Sequence, residues 1–214
     1  MIKLEKTEVF GWESAIRGMR NPMNSWDNSD SVFTGLPING FLIGENDLKL
    51  MKKLSKAGND HAKYLRMINV TVDITAPLYW WKEFDTYKVG TVANSCSTMH
   101  KIHSKEFTSD DFSCEHLFNS LSEGMYRESL LYTIGALNHA RKLYLETKDK
   151  KYWWQMIQLL PSSYNQKRTV QLNYQVLKQI YFARRNHKLD EWHTFCDWIE
   201  KLSYFNEIVL GEND

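Results

Sequence analysis

The stretch Met67-Ile68-Asn69-Val70-Thr71-Val72-Asp73-Ile74-Thr75 decides the fold class, because apolar and polar residues alternate along it. A period of two places every second side chain on one face of a β-strand, and here that face carries Ile68, Val70, Val72 and Ile74. Val, Ile and Thr also pack well on a pleated sheet. The stretch therefore predicts a strand that is buried on one face.

A helix and a polar loop are expected after this strand. Pro77 suits the first turn of a helix, because its missing N–H would have no partner there. We expect the helix to span Leu78–Tyr87 and to end before Gly90. The residues at 91–98 are small and polar, and such a loop beside a strand and a helix is typical of a ligand site.

The order of residues from Ala76 to Thr91 resembles the core motif of the flavin-dependent thymidylate synthases. In that family a strand ending in Ala-Pro precedes Arg-Gln-Trp and then Arg-His-Arg-x-x-Ser-x-Asn-Glu-x-Ser-x-Arg-Tyr. The register fits this chain without a gap, but most charged positions differ. Along the chain the substitutions are Lys82 for Arg, Glu83 for Gln, Phe84 for Trp, Thr86, Tyr87 and Lys88 for Arg-His-Arg, Thr91 for Ser, Asn94 for Glu, Cys96 for Ser, and Thr98 and Met99 for Arg-Tyr.

A second segment resembles the same family by its spacing. In the family a Leu-Pro precedes, by a fixed interval, a helix of the form Asn-x-Arg-x-x-x-Asn-x-x-x-x-Arg, and Leu160-Pro161 precedes Asn173 by that interval here. The helix then carries Gln175 for Arg, Gln179 for Asn and a matching Arg184. Asn173 and Arg184 are eleven residues apart, close to three turns, so we expect both on one face.

The resemblance implies an α+β fold, a twisted β-sheet flanked by long helices, formed by one domain over 1–214 and assembled as a homotetramer. It implies one-carbon transfer from methylenetetrahydrofolate to a pyrimidine deoxynucleotide such as dUMP, a methyltransferase reaction that uses FAD and NADPH. FAD contacts are then expected from Thr86, Tyr87, Lys88, Val89, Asn173, Gln175 and Gln179. Nucleotide contacts are expected from Glu83, Asn94, Cys96, Thr98 and Arg184.

The missing arginines bear on nucleotide binding. A phosphate dianion needs fixed cations or several N–H donors, and a bidentate arginine is the strong solution. Thr86, Thr98, Gln175 and Ile157 stand where the family has arginine, and each lost charge-assisted contact costs roughly 1.5–3 kcal/mol. The candidate replacements are Lys82, Lys88, Arg184, Arg185, Lys167 and Arg168. Unless such basic residues replace the arginines, we expect dUMP affinity to fall by orders of magnitude.

Cys96 is the candidate catalytic residue. A thiolate beside a pyrimidine can add to C6 when a nearby cation stabilises the thiolate, and Lys88 is the candidate cation. The alternative is a small buried thiol in a packed loop. No metal site is predicted from His100, His103, Cys114 and His116, because no Cys-x-x-Cys is present and no Glu lies between the two closest histidines.

The composition restricts the partners and the compartment. Lys and Arg number 27 against 26 Asp and Glu, and this net charge of +1 argues against duplex nucleic acid as the main partner. No apolar stretch is long enough to cross a bilayer, and no signal peptide is visible, so no membrane partner is expected. Three widely spaced cysteines fit a reducing compartment, and we expect a cytoplasmic protein.

The segments on either side of the two motifs predict further helices and strands. Ile2 and Leu4 suggest a first strand, Gly11–Arg17 a helix, and Asn46 or Asp47 the cap of a helix with Gly58 at its C′ position. The turn-rich segment 21–44 is either a loop over a ligand or a structural surface loop. Beyond Ser113 we expect helices nearly to the end, with buried stripes formed by Tyr126, Leu130, Ile134, Leu137, Ala140 and Tyr144, and by Trp192, Phe195, Ile199 and Leu202.

Three functions remain open from the sequence. The first is a divergent flavin-dependent thymidylate-synthase-like enzyme. The second is a non-catalytic nucleotide-binding, flavin-binding or interaction protein of the same fold. The third is an unrelated α+β protein whose spacings match by accident.

Overall fold

The structure, a computed structural model, describes residues 2–34, 40–117 and 124–211. Its strands are β1 Lys3–Phe10, β2 Val32–Phe33, β3 Phe41–Leu42, β4 Asn69–Pro77, β5 Val92–Ser95 and β6 Asn165–Asn173. Its α-helices are α1 Trp12–Arg20, α2 Glu45–Lys56, α3 Leu78–Phe84, α4 Thr98–Lys101, α5 Gly124–Thr147, α6 Lys150–Leu159, α7 Tyr174–Arg184 and α8 Asp190–Ile199. This mixture confirms the predicted α+β class.

One sheet contains four strands in the order β1-β4-β6-β5. Strands β2 and β3 form a separate antiparallel pair, in which Val32 lies opposite Leu42 and Phe33 lies opposite Phe41. The alternation that predicted β4 is confirmed, because Ile68, Val70, Val72 and Ile74 are all at most 1% exposed while the residues between them are half-buried. Ile68 itself directly precedes the strand.

The position of Pro77 corrects one expectation. Pro77 has φ −68° and ψ 151°, which is an extended conformation, so it ends β4 and caps α3 instead of lying in its first turn. The helix begins at Leu78 and ends at Phe84, and a 3₁₀ turn at Asp85–Tyr87 replaces the last predicted turn. Trp80, Trp81 and Phe84 are buried, which accounts for the aromatic content of the helix.

Two strands were wrongly assigned from the sequence. The polar segment after Gly90 contains β5, and the segment expected to be helical before Asn173 is β6. Strand β6 is hard to recognise because its buried positions mix Gln166 with Val170 and Leu172, so the apolar alternation covers only its second half. These strands are adjacent in the sheet, and both carry residues of the candidate site described below.

The chain divides into two compact units. The first unit comprises Met1–Lys3, Asp73–Thr86 and Ala93–Thr169, and includes α3 to α6. Its core joins one face of α5 to α6, with Leu130, Ile134, Leu137, Ala140 and Met156 buried. Four residues of the predicted α5 stripe are therefore confirmed, Tyr144 packs against them at the edge, and Tyr126 is 52% exposed and was wrongly included.

The second unit comprises Leu4–Val72, Tyr87–Val92 and Val170–Asp214, and includes α1, α2, α7 and α8. The stripe on α8 is confirmed, because Trp192, Phe195 and Ile199 are fully buried. Leu202 is also buried, but it follows the end of the helix. The described part of the chain contains no helix with the length and apolar character that crossing a membrane requires.

A buried ion pair orders the turn-rich segment of the second unit. Arg20 Nε lies 2.6 Å from Asp47 Oδ1, and both side chains are at most 4% exposed. Ser29 and Ser31 donate to the other oxygen of the same carboxylate. Asp47 is therefore not the predicted helix cap; instead the Asp30 carboxylate accepts from the first backbone N–H groups of α2.

The rest of this segment also packs inward. Phe41 stacks on Trp12 with their ring centroids 5.2 Å apart, and Phe33 stacks on Phe41. These contacts support the structural interpretation of residues 21–44, although residues 35–39 of the loop lie outside the described part of the chain. Gly58 has φ +102° after the end of α2, which confirms its predicted C′ position.

Candidate functional site

A cavity of about 430 Å³ lies within the first unit, where β5 ends beside β6. Two of the predicted nucleotide residues, Cys96 and Thr98, line it, together with the hydroxyl of Ser97. Gln166 and Tyr164 also line it. Such a concave surface with convergent hydrogen-bonding groups is the usual form of a small-molecule site.

Three lysines also line this cavity: Lys101, Lys105 and Lys167, of which only Lys167 was among the candidate cations of the sequence. Lys105 forms an ion pair with the buried Asp111, and this hydrogen bond raises the pKa of the ammonium group. Lys167 Nζ lies 3.1 Å from Asp73 Oδ2. The cavity therefore combines three cations with the carboxylates that position two of them.

The backbone at Cys96 is held from both sides. Its N–H donates to the Lys167 carbonyl at 2.9 Å, and its carbonyl accepts from Gln166 Nε2 at 2.8 Å. The Oε1 of Gln166 accepts from Arg168 Nε at 3.0 Å, and Arg168 pairs with Asp85 at 2.7 Å. A chain of hydrogen bonds thus fixes this end of β5 to β6.

The thiol of Cys96 is exposed, so the interpretation of Cys96 as a buried packing residue is wrong. Within the described residues no group of three or more His, Cys, Asp and Glu side chains is arranged to hold a metal ion. The residues that line the cavity offer one thiol, several hydroxyl and amide groups, lysine cations, and the carboxylates of Asp110 and Asp111.

The other predicted residues of the first unit are not among the residues that line the cavity. Thr86 donates its hydroxyl hydrogen bond to the Glu83 carbonyl at 2.8 Å, which closes the turn after α3. The Glu83 side chain is half-buried, and Asn94 is exposed on β5. The structure therefore brings Cys96 and Thr98 together at one cavity and places Glu83, Thr86 and Asn94 outside its lining.

In the second unit, Tyr87 and Arg184 are in direct contact. Arg184 Nε donates to the Tyr87 hydroxyl at 2.9 Å. The guanidinium group also lies 5.0 Å from the ring centroid of Trp192 and 5.6 Å from that of Tyr87. The predicted flavin residue Tyr87 and the predicted nucleotide residue Arg184 thus form one aromatic–cation cluster, which already occupies part of the hydrogen-bonding capacity of the guanidinium group.

Asn173 and its neighbours form a second group of predicted residues in this unit. Asn173 caps α7, and its Oδ1 accepts from the Val176 N–H. A Cβ added at Gly90, which has φ +81°, would lie 3.2 Å from Asn173 Nδ2 and 3.1 Å from Val176 Cγ2. The segment after Tyr87 therefore passes close to the start of α7.

The remaining predicted cofactor residues differ in exposure. Gln175 is 4% exposed; its Nε2 donates to Asn59, whereas no partner is found for its Oε1 among the described residues. Lys88, Val89 and Gln179 are exposed, with Val89 at 92%. Arg184 is half-buried and is the last residue of α7, whereas Asn173 is the N-cap that precedes the helix. We expected both residues on one face of this helix, but only Arg184 belongs to it.

Crystal structures of Thymidylate Synthase X (ThyX) from Helicobacter pylori are similar to this chain. One, solved with FAD and dUMP, gives a TM-score of 0.70 at 16% identity and covers 98% of this chain and 97% of that chain. Another, complexed with FAD and dUMP, gives 0.68 at 14% identity and covers 97% of each chain. This chain has the fold of the flavin-dependent thymidylate synthases.

The flavin-dependent thymidylate-synthase fold confirms the sequence resemblance. At these identities the likeness establishes the fold alone. No protein-family profile matches the sequence, and no curated protein matches it. Lys101 and Lys105 were missed because Lys101 ends α4 and Lys105 follows it, beyond the last residue of the first matching motif.

Proposed function

We propose that this chain is a divergent flavin-dependent thymidylate-synthase-like protein, which binds FAD and a pyrimidine deoxynucleotide and transfers a one-carbon unit to the pyrimidine. The observation that carries the proposal is the cavity at which Cys96 and Thr98 lie beside three lysines. The structural neighbours were solved with FAD and dUMP, which names the ligands to test.

The lysines replace the cations that are lost with the family arginines. A nucleotide phosphate needs cations, and Lys101, Lys105 and Lys167 supply three of them at the cavity. Lysine acts as a point charge without the bidentate geometry of arginine, so its contacts are less directional. In this proposal the phosphate binds among the lysines, and the hydroxyl groups of Ser97 and Thr98 complete its hydrogen bonds.

Residues of the second unit carry hydrogen-bond donors and acceptors that suit a flavin. Gln175 Oε1 is a buried acceptor without a partner among the described residues, and an N–H of a flavin ring is a suitable donor for it. Lys88 and Gln179 are exposed donors for a pyrophosphate, and Asn173 adds an amide. A bound flavin would supply hydride chemistry, whereas these residues would hold and orient it.

Cys96 is the proposed catalytic residue. Its thiolate would add to C6 of the pyrimidine; the S–C6 bond forms, and the electron pair of the C5–C6 bond moves toward C5 and the adjacent carbonyl. Methylenetetrahydrofolate would then transfer its one-carbon unit to C5 and leave as tetrahydrofolate, and the C5 proton would be lost. With reducing equivalents from NADPH, the one-carbon unit would become a methyl group, the S–C6 bond would break, and the C5–C6 double bond would re-form as the Cys96 thiolate leaves. We further propose that the chain acts as one domain over 1–214 in a homotetramer and works in the cytoplasm.

The first experiment measures ligand binding. Purified protein is incubated with FAD and gel-filtered, and its visible spectrum is recorded while dUMP is added. We expect a retained flavin band that dUMP perturbs, whereas deoxyuridine, which lacks the phosphate, perturbs it only at much higher concentration. Lys101→Ala and Lys167→Ala should each raise the Kd for dUMP about tenfold, which corresponds to roughly 1.4 kcal/mol.

The control for this experiment is Lys150→Ala, because Lys150 is an exposed lysine at the start of α6 that does not line the cavity. It should leave the Kd unchanged. Protein that retains no flavin and binds no pyrimidine nucleotide would refute the proposal. An equal effect of all three lysine substitutions would show that general charge, and not the cavity, attracts the nucleotide.

A second candidate function is nucleotide or flavin binding without catalysis. The engagement of Arg184 by Tyr87 and Trp192 favours it, because this arginine is the predicted nucleotide contact that survives from the family motif. Turnover of dUMP with FAD, methylenetetrahydrofolate and NADPH separates the two functions. Turnover that Cys96→Ser abolishes supports the enzyme, whereas tight binding without turnover supports the binding protein.

A further inference from the structure

Tyr164 lies at the candidate cavity, directly before β6, and is held firmly in place. Its ring makes edge contacts with the buried rings of Phe112 and Phe107, whose centroids lie 5.7 Å and 6.2 Å away. Its carbonyl accepts from the Leu78 N–H at 3.0 Å, and its N–H donates to the Pro161 carbonyl at 3.0 Å. Both the backbone and the ring of Tyr164 are therefore fixed relative to the cavity.

The hydroxyl of Tyr164 lies among groups that share the cavity lining. Lys105, Asp111 and Cys96 are near enough for their charges to act on its pKa. Burial and the charge of Asp111 raise this pKa, the cation of Lys105 offsets them only in part, and a Cys96 thiolate raises it further. Tyr164 is therefore a neutral phenol at physiological pH, with an O–H group that can donate.

This hydroxyl is available to a ligand, whereas its polar neighbours are engaged. The Gln166 amide donates to the Cys96 carbonyl and accepts from Arg168, so it is held at both ends. Lys105 is held in an ion pair. Among the residues that the structure describes, none forms a hydrogen bond with the Tyr164 hydroxyl. The cavity therefore presents one fixed, neutral donor beside the exposed thiol.

The addition of a thiolate to a pyrimidine requires such a donor. When the S–C6 bond forms, the electron pair of the C5–C6 double bond moves toward C5, and its charge is delocalised onto the carbonyl oxygen O4. A preorganised hydrogen-bond donor stabilises an oxyanion that develops in this way, and a neutral phenol does so without giving up its proton.

We propose that Tyr164 is a further catalytic residue, whose hydroxyl donates a hydrogen bond to O4 of the pyrimidine and stabilises the enolate formed when Cys96 adds to C6. The proton remains on Tyr164, and the electron pair returns to the C5–C6 bond when the thiolate leaves. This inference rests on the proposed function, because it requires the addition by Cys96.

The test follows exchange of the C5 hydrogen of dUMP in D₂O by NMR, with the FAD-loaded protein. Addition of Cys96 lets a deuteron bond to C5; loss of the original proton and departure of the thiolate then return labelled dUMP, and no oxidant or reductant is consumed. Tyr164→Phe keeps the packed ring. It should slow exchange at saturating dUMP about a hundredfold and change the Kd for dUMP far less.

Tyr144→Phe is the matched control, because Tyr144 is a half-buried tyrosine that packs against the same apolar core and does not line the cavity. It should leave the exchange rate unchanged. A substrate analogue, 4-thio-dUMP, separates hydrogen bonding from packing, because sulfur accepts hydrogen bonds more weakly than oxygen. With this analogue the effect of Tyr164→Phe should shrink to less than about tenfold. An equal effect on both substrates would show a merely structural role and overturn the inference.

The Cys96→Ser variant distinguishes a failure of this inference from a failure of the proposed function. Exchange that Cys96→Ser abolishes and Tyr164→Phe leaves unchanged would overturn the role of Tyr164 alone. A wild type that binds dUMP but exchanges no C5 hydrogen would refute the addition by Cys96 and, with it, this inference.

Discussion

Arg184 donates a hydrogen bond from its Nε to the hydroxyl of Tyr87 at 2.9 Å, and it lies against the ring of Trp192. Tyr87 belongs to the segment that follows α3, whereas Arg184 ends α7, so this contact joins two distant parts of the sequence within the second unit. The arginine therefore stabilises the folded chain in addition to any role toward a ligand.

Arg184→Lys should lower the free energy of unfolding by about 1–3 kcal/mol, because an ammonium group cannot keep both the stacking on aromatic rings and the directed hydrogen bond. Tyr87→Phe keeps the ring and removes only the acceptor, so it should cost about 1 kcal/mol. Urea denaturation measures both values. Arg66→Lys, at an exposed arginine of the same unit, is the control and should be neutral. Equal losses for Arg184→Lys and Tyr87→Phe would contradict a stacking contribution.

The buried carboxylate of Asp47 predicts a pH dependence of stability. Burial by itself raises the pKa of Asp47, but the hydrogen bonds from Ser31, Ser29 and Arg20, together with the charge of Arg20, outweigh it and the pKa is lowered. Because the pKa is lower in the folded state, the carboxylate stabilises the folded protein at pH values above its unfolded pKa of about 3.9. This stabilisation is lost as the pH falls through the folded pKa.

Asp47→Asn should therefore cost about 3 kcal/mol at neutral pH, because it leaves Arg20 buried beside a neutral amide. The difference in the free energy of unfolding between wild type and variant should decrease as the pH falls below about 4. Chemical denaturation at a series of pH values measures it, with Asp60→Asn in an exposed turn as the control. A difference that stays constant into the acid range would show that the charge of Asp47 is not the source of the stability.

The sequence predicted the strands and helices that show a regular apolar pattern, and it missed features that depend on contacts between distant residues. Strand β4 alternates regularly and was recognised, whereas β6 places Gln166 at a buried position that hydrogen bonds make acceptable. Aspartate is a residue type that often caps helices, but Asp47 binds Arg20, which is far away in sequence, and this partner determines its role. Such partners depend on tertiary contacts, which local propensity does not contain.

The candidate site shows the same division. Spacing against a known motif located Cys96 and Thr98, and the structure places both at one cavity. Lys101 and Lys105, which also line this cavity, lie at positions for which the motif specifies no residue. Lys167 is brought there by β6, whose backbone pairs with that of Cys96, and only the sheet order reveals this neighbour.

Two glycines with positive φ allow steric crowding to be separated from backbone strain. Gly90 and Gly58 have φ of +81° and +102°, so an alanine at each position is strained by its conformation. Only Gly90 is crowded, because a Cβ there would press on Val176 and on the capping residue Asn173, whereas nothing lies within 4 Å at Gly58 among the described residues.

Gly58→Ala should cost about 1 kcal/mol through strain alone, and Gly90→Ala should cost roughly 1–2 kcal/mol more because Asn173 or Val176 must also move. Thermal and urea unfolding of the two variants measure the difference. If Asn173 contributes to a flavin site, Gly90→Ala should also weaken FAD retention and Gly58→Ala should not. Equal stability losses in the two variants would mean that the Asn173 and Val176 side chains adjust freely.

The hydrogen-bonded chain from Asp85 through Arg168 and Gln166 to Cys96 predicts how the edge strand β5 opens. Gln166 is 8% exposed, and it joins the Cys96 carbonyl to Arg168 Nε. Gln166→Ala should raise the hydrogen-exchange rate of the Cys96 amide about five- to tenfold, because the loss of one side-chain bond of roughly 1 kcal/mol eases local separation from β6.

Thr169→Val is the matched control on the same strand, since the Thr169 hydroxyl donates to Asp73 and makes no bond to Cys96. Faster exchange in Gln166→Ala only would show that Gln166 positions the candidate catalytic residue, whereas equal rates in both variants would show that the backbone pairing alone holds it.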